Sequence, residues 1–124
     1  MSTLVNVGHN ARFKTGRVIL LVAAALMTLN HFGLIFALDE PALFIGYAAF
    51  NLSALVVIAI PFRRHEKWAW YATWILPIGL AAAAYTDPNI AILYYAVAAA
   101  CVLGLLLTMQ DFFAADRRVA HRVP

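Results

Sequence analysis

What this sequence has little of is charge, and it has none at all along four long apolar stretches. Charged residues make up 12% of its 124 residues and hydrophobic residues 65%, against roughly 25% charged in ordinary globular domains. A chain this short has no interior large enough to hide so much apolar surface from water, so lipid must cover it. Cysteine is almost absent too. Cys101 stands alone, which excludes an intrachain disulfide, a CxxC redox pair and a cysteine-rich metal site. There is no HExxH, no histidine cluster and no phosphate-cradling glycine loop. The spans carry no Asp or Glu, which removes the membrane-embedded carboxylate normally used in proton-coupled transport. Small four-span drug exporters depend on such a glutamate. Small fluoride channels carry a glycine-asparagine and arginine pattern that is missing as well. No catalytic residue and no metal ligand set can be assigned.

The apolar stretches themselves are the main signal. About 20 residues at 1.5 Å rise cross ~30 Å of hydrocarbon. Four segments are candidates: 18–38, 42–62, 68–85 and 90–110. The third is the shortest and most aromatic. The links between them are only a few residues long. Pro41 and Pro88 fit the first position of a helix, where a missing N–H costs nothing, and Asp87 is placed to cap the fourth span. Such short links predict an all-α, antiparallel four-helix transmembrane bundle in a single membrane domain covering 1–124.

Orientation follows from the positive residues. Arg12, Lys14 and Arg17 precede the first span, Arg63, Arg64 and Lys67 lie in the second link, and Arg117, Arg118 and Arg122 follow the fourth. All nine basic residues thus fall on one side, and the other side holds Asp39, Glu40 and Asp87. The positive-inside rule makes the basic side, and both termini, cytoplasmic in a bacterial inner membrane. That distribution assigns the net charge of +3 to membrane topology rather than to nucleic acid. The first apolar run is too long for a cleaved signal peptide, and no clear cleavage site follows it. The residues before Arg12 read as a polar arm. Residues 111–122 read as a short interfacial helix with its basic face toward anionic headgroups.

Helices in lipid associate through small residues. Ala96, Ala100 and Gly104 give the fourth span such a face, and Gly79 and Ala83 give one to the third. Pro77 falls mid-span in the third helix, where it removes the hydrogen bond to the Thr73 carbonyl and predicts a kink. Trp68, Trp70, Tyr71 and Trp74 gather at the inner end of that helix, either as an interfacial belt or, through Trp70 and Trp74, as the wall of a ligand cleft beside the kink.

Polar residues inside a membrane are costly and are the first candidates for function. Thr28, Asn30, His31, Asn51, Ser53, Thr73, Tyr94, Tyr95 and Cys101 form that set. Thr28 and His31 share a helix face. Counting from the link centres brings Asn51 near Thr28 in depth, and His31 near Tyr94 and Tyr95. The expected cluster pairs Asn51 with Thr28 or Asn30, and His31 with a tyrosine hydroxyl. It serves either as polar glue between helices or as the binding site for the polar head of a lipophilic molecule. A bis-histidine haem lacks its second histidine, since His9, His65 and His121 lie outside the spans; a five-coordinate tetrapyrrole on His31 stays open.

The stretch Lys67-Trp68-Ala69-Trp70-Tyr71 with Trp74 and Pro77, and the ending Gly104-Leu105-Leu106-Leu107 with Asp111-Phe112-Phe113, resemble segments of small bacterial four-helix membrane proteins of a loosely DoxX-like kind. The resemblance covers about a third of the chain. It implies four spans and a bacterial origin, favours a quinone or lipid site, and carries over no catalytic residue.

Two functions are therefore expected. The first is a non-catalytic accessory or interaction subunit, or a homo-oligomer, whose small-residue faces pack on a partner in the bilayer. The second is a binding protein for a quinone, isoprenoid or pigment, with Thr28, Asn30, His31, Asn51, Trp70, Trp74, Tyr94 and Tyr95 as its lining. A small transporter or channel is a third. No cofactor is required by the sequence.

Overall fold

The computed structural model describes residues 2–120, with side chains placed over 10–114. Among the described residues all regular structure is helical: α1 (Ser2–Ala37), α2 (Pro41–Ala59), α3 (Lys67–Thr73), α4 (Ile75–Thr86) and α5 (Ala91–Ala120). Three stretches are long and apolar enough to cross a membrane: Asn10–Ala37, Pro41–Ala59 and Ala91–Ala114. Leu26, Leu29, Phe36, Ile78 and Ile92 are among many large apolar side chains turned outward. Such a surface suits lipid and would be costly in water.

Each helix buries one stripe. On α1 it runs Phe13, Gly16, Leu20, Ala24, Met27, His31, and on α5 Tyr94, Ala98, Cys101, Leu105, Thr108, Phe112. Steps of three and four residues keep these side chains on one face of a 3.6-residue helix. Asn51, Ala54 and Ile58 do the same on α2, and Leu76, Leu80 and Ala84 on α4. The helices form an open series: α2 packs on α1, α1 on α5, and α5 on α4. α2 also touches α3, but it hardly approaches α4. One seam of the molecule is therefore left loosely filled.

The α1–α5 contact is very close. A Cβ built on Gly16 would lie 2.6 Å from the Gly104 carbonyl oxygen, and one on Gly104 would lie 2.9 Å from the Gly16 carbonyl oxygen. Gly16, which lies in the basic flank ahead of the first apolar run, and Gly104 thus let the two backbones approach.

Four expectations change in detail. The polar arm before Arg12 is helical from Ser2 onward and continuous with α1. The third apolar segment is not one helix. It breaks at Trp74, whose N–H turns to the Tyr71 carbonyl, a 3₁₀-like bond. Pro77 sits three residues further on; its ring excludes the Thr73 carbonyl from the helical ladder, so the interruption comes one turn before the proline. The expected interfacial helix over 111–122 is not a separate element through Ala120, because α5 runs on unbroken. Phe112 lies buried beside Phe13 and Phe62, and Phe113 packs edge-on against Trp70. The side chains of residues 115–120, and residues 121–124 altogether, lie outside the described set. Finally, Asp87 caps the turn ahead of α5 rather than the helix itself: its Oδ1 accepts from the Asn89 backbone N–H at 2.9 Å. Pro41 does open α2 as expected.

The link between α2 and α3 is tightly wound. Arg17 reaches across from α1 and donates to the Ile58 carbonyl (3.2 Å, Nε) and the Ala59 carbonyl (3.0 Å, Nη2). His65 takes φ +59°, a left-handed conformation uncommon outside glycine. Its ring stacks on Phe13 with centroids 4.3 Å apart.

Candidate functional site

His31, Asn51 and Tyr94 end the buried stripes of α1, α2 and α5, and they meet. Asn51 Nδ2 lies 3.0 Å from His31 Nδ1 and 2.8 Å from the Tyr47 carbonyl oxygen. His31 Nε2 lies 2.7 Å from the Tyr94 hydroxyl. An amide nitrogen can only donate, so Nδ1 of His31 accepts. The proton of the neutral ring then sits on Nε2 and is donated to Tyr94. The opposite amide orientation would set two oxygens against each other at the Tyr47 carbonyl, so the network fixes the amide as well as the tautomer.

All three residues are buried, with 3% of His31, 2% of Asn51 and 5% of Tyr94 exposed. Yet one atom is left over. Asn51 Oδ1 is buried and has no hydrogen-bond partner. An unsatisfied buried acceptor costs about 1–3 kcal/mol, and in hydrocarbon no water is at hand to relieve it.

The triad forms the polar part of a half-open cavity of about 230 Å³. The rest of its wall is apolar or small: Phe50 from α2, and Gly79, Leu80 and Ala83 from α4, with Tyr47 at the rim. The proline-interrupted α4 packs on α5 while standing off from α2. The small side chains of Gly79 and Ala83 leave that gap open.

The sequence-derived residues divide clearly. His31, Asn51, Tyr94, Gly79 and Ala83 line this cavity, and Asn30 is not among its walls. Thr28 does not meet Asn51; its hydroxyl donates to the Ala24 carbonyl of its own helix at 2.7 Å. Tyr95 is 46% exposed. Trp70 and Trp74 lie elsewhere, in a ring cluster with Tyr71 and Phe113, and Trp70 Nε1 donates to the Leu105 carbonyl at 3.1 Å. Ala96 is exposed and Ala100 half-buried. A hollow does lie beside the break at Trp74, but Ala72, Thr73 and Ile75 line it rather than the tryptophans. Tyr47 and Phe50 were missed. Their only sequence signal is position: Tyr47 lies four residues before Asn51 on α2, and Phe50 three after Tyr47.

Comparison with protein-family models, with curated proteins and with solved structures finds no match for this chain.

Proposed function

We propose that this is a membrane protein that binds a lipophilic molecule by its polar head, at His31, Asn51 and Tyr94. One observation carries the reading: a buried acceptor without a donor, on a residue that walls a half-open cavity. Polar glue between helices accounts for the paired atoms but not for this one. A ligand that brings a hydroxyl or other neutral donor would complete the set once the side chains that close over Oδ1 move aside, since that atom is fully buried here. The walls carry no formal charge, which disfavours an ionic head. His31 spends both ring nitrogens on protein partners, and the cavity is below the ~300 Å³ at which drug-sized sites begin. Both features speak against a tetrapyrrole and for a small head such as that of an isoprenol or a hydroquinone.

The setting of the site belongs to the same proposal. α3 and α4 together would make a fourth crossing, with the bundle running up-down-up-down and both ends on the basic, cytoplasmic side of a bacterial inner membrane. An accessory subunit is the rival reading.

Native mass spectrometry of protein gently extracted from its own membrane separates the two. A stoichiometric small-molecule adduct is expected on the wild type, falling at least tenfold in occupancy on Asn51→Leu, which keeps the branching and heavy-atom count of the side chain and removes both the acceptor and the amide donor to His31. A larger assembly with no adduct would sink the proposal and restore the subunit reading.

A further inference from the structure

The cavity at His31 has a neighbour. A second hollow of about 330 Å³ lies between α2 and the α3–α4 break, walled by Ser53, Ala54 and Val57 on one side and Ala72, Thr73 and Ile75 on the other. Phe50 lines both. On α2 the positions facing the two hollows run 47, 50, 51, 53, 54, 57, one broad side of the helix. On the opposite side they run 83, 80, 79, then 75, 73, 72. Numbers fall on one side as they rise on the other, so the two hollows are consecutive parts of the one loosely filled seam. The Phe50 ring bridges that seam, 3.4 Å from where a Cβ on Gly79 would lie. The polar side chains His31, Asn51 and Tyr94 gather at one end, and the surface of the far hollow is almost wholly apolar.

We infer that the seam holds a single-chain amphiphile lengthwise, its hydroxyl head at Asn51 and His31 and its tail running past Phe50 into the hollow beside the Trp74 break. The inference rests on the binding reading above and adds the class of ligand: one unbranched or isoprenoid-like tail, not a compact ring system. From Tyr47 to Val57 the seam is about 15 Å long at 1.5 Å per helical residue. That length takes a straight chain of about a dozen carbons, each advancing ~1.25 Å for bonds of ~1.5 Å. Phe50 acts as the partition. A short alcohol fills only the head cavity, whereas a long one must displace the ring from Gly79.

The test uses straight-chain 1-alkanols of six, ten and fourteen carbons bearing a diazirine at the tail end, applied to the full chain in lipid nanodiscs. Saturable labelling is measured on wild type and on Phe50→Trp, and the ratio of apparent affinities at each length cancels membrane partitioning. The expected ratio is within about twofold for six carbons and at least tenfold for fourteen, with the fourteen-carbon probe labelling the 72–75 segment. Ser53→Phe, which fills the far hollow from an exposed position, should give the same length-selective loss and decides the matter should Phe50→Trp not fold. A ratio independent of length would overturn the lengthwise placement while leaving the head site standing. No saturable labelling at any length would overturn both.

Discussion

Replacing Gly16 by alanine is expected to destabilise the protein by about 2–3 kcal/mol, the cost of overpacking a close contact, in a mixed-micelle denaturation with SDS. The added Cβ would lie 2.6 Å from the Gly104 carbonyl oxygen and 2.7 Å from Thr108 Cγ2. The first of these is backbone, which no rotamer change can move, so α1 and α5 must separate. Separation loosens the contacts of Leu20, Leu105 and Thr108, all wholly buried, and nothing hydrophobic pulls the helices back together in lipid. Gly104→Ala should cost less, because its closest encounters are at 2.9 Å and one of them is the flexible Leu20 side chain. Gly33 and Gly46 have open space where a Cβ would go. Alanine at those positions should be neutral or stabilising by up to ~1 kcal/mol, through helix propensity. The same substitution thus gives opposite signs at different helical glycines. A Gly16→Ala protein as stable as wild type within ~0.5 kcal/mol would show that the two backbones are not in contact.

Arg17→Met is expected to have the second largest effect, about 2 kcal/mol, and its site of action is local. α2 ends with carbonyls that the following chain does not satisfy: Pro61 has no N–H, and the Phe62 N–H goes to Val57. The Arg17 guanidinium fills the gap at Ile58 and Ala59, and its charge complements the negative end of the helix. Methionine keeps the apolar stem and removes every donor. The wound link over 61–66 should then open more often, by a factor of about 30 for 2 kcal/mol. Trypsin cleavage at Arg63 and Arg64 reports it directly, provided that proteolysis is slow compared with reclosing. Arg17→Lys should fall between, since a single ammonium cannot form the same two-point fork. Equal cleavage of wild type and Arg17→Met would mean that water caps α2 as well as Arg17 does.

The apolar helices were legible because their physics is one-dimensional. Run length against bilayer thickness locates a span whatever the helix packs on. The polar cluster was legible in part. Depth counting brought His31 to Tyr94, but depth fixes only one coordinate, and the helix rotation that turns Thr28 to its own backbone and Tyr95 outward is a second. Asn51 was expected to find Thr28 or Asn30 and found His31 instead. Gly16 was missed because it precedes the apolar run and stands between Lys14 and Arg17. Its role depends on how far α1 extends beyond that run. The break at Trp74 rather than at Pro77 follows from proline physics, but only after one asks which carbonyl the ring displaces. The tryptophans drew attention by type alone. Their place against Phe113 was hidden because α5 continues past the point where its apolar run ends.

On the binding reading proposed above, the seam between α2 and α4 fills from the bilayer, and this sets the units in which occupancy has to be counted. A lipophilic ligand there would exchange with molecules dissolved in the surrounding leaflet, so the governing variable is their mole fraction among the lipids, not their molarity in the buffer. Diluting a suspension of vesicles a hundredfold would leave the seam as full as before. Fusing those vesicles with empty ones would drain it.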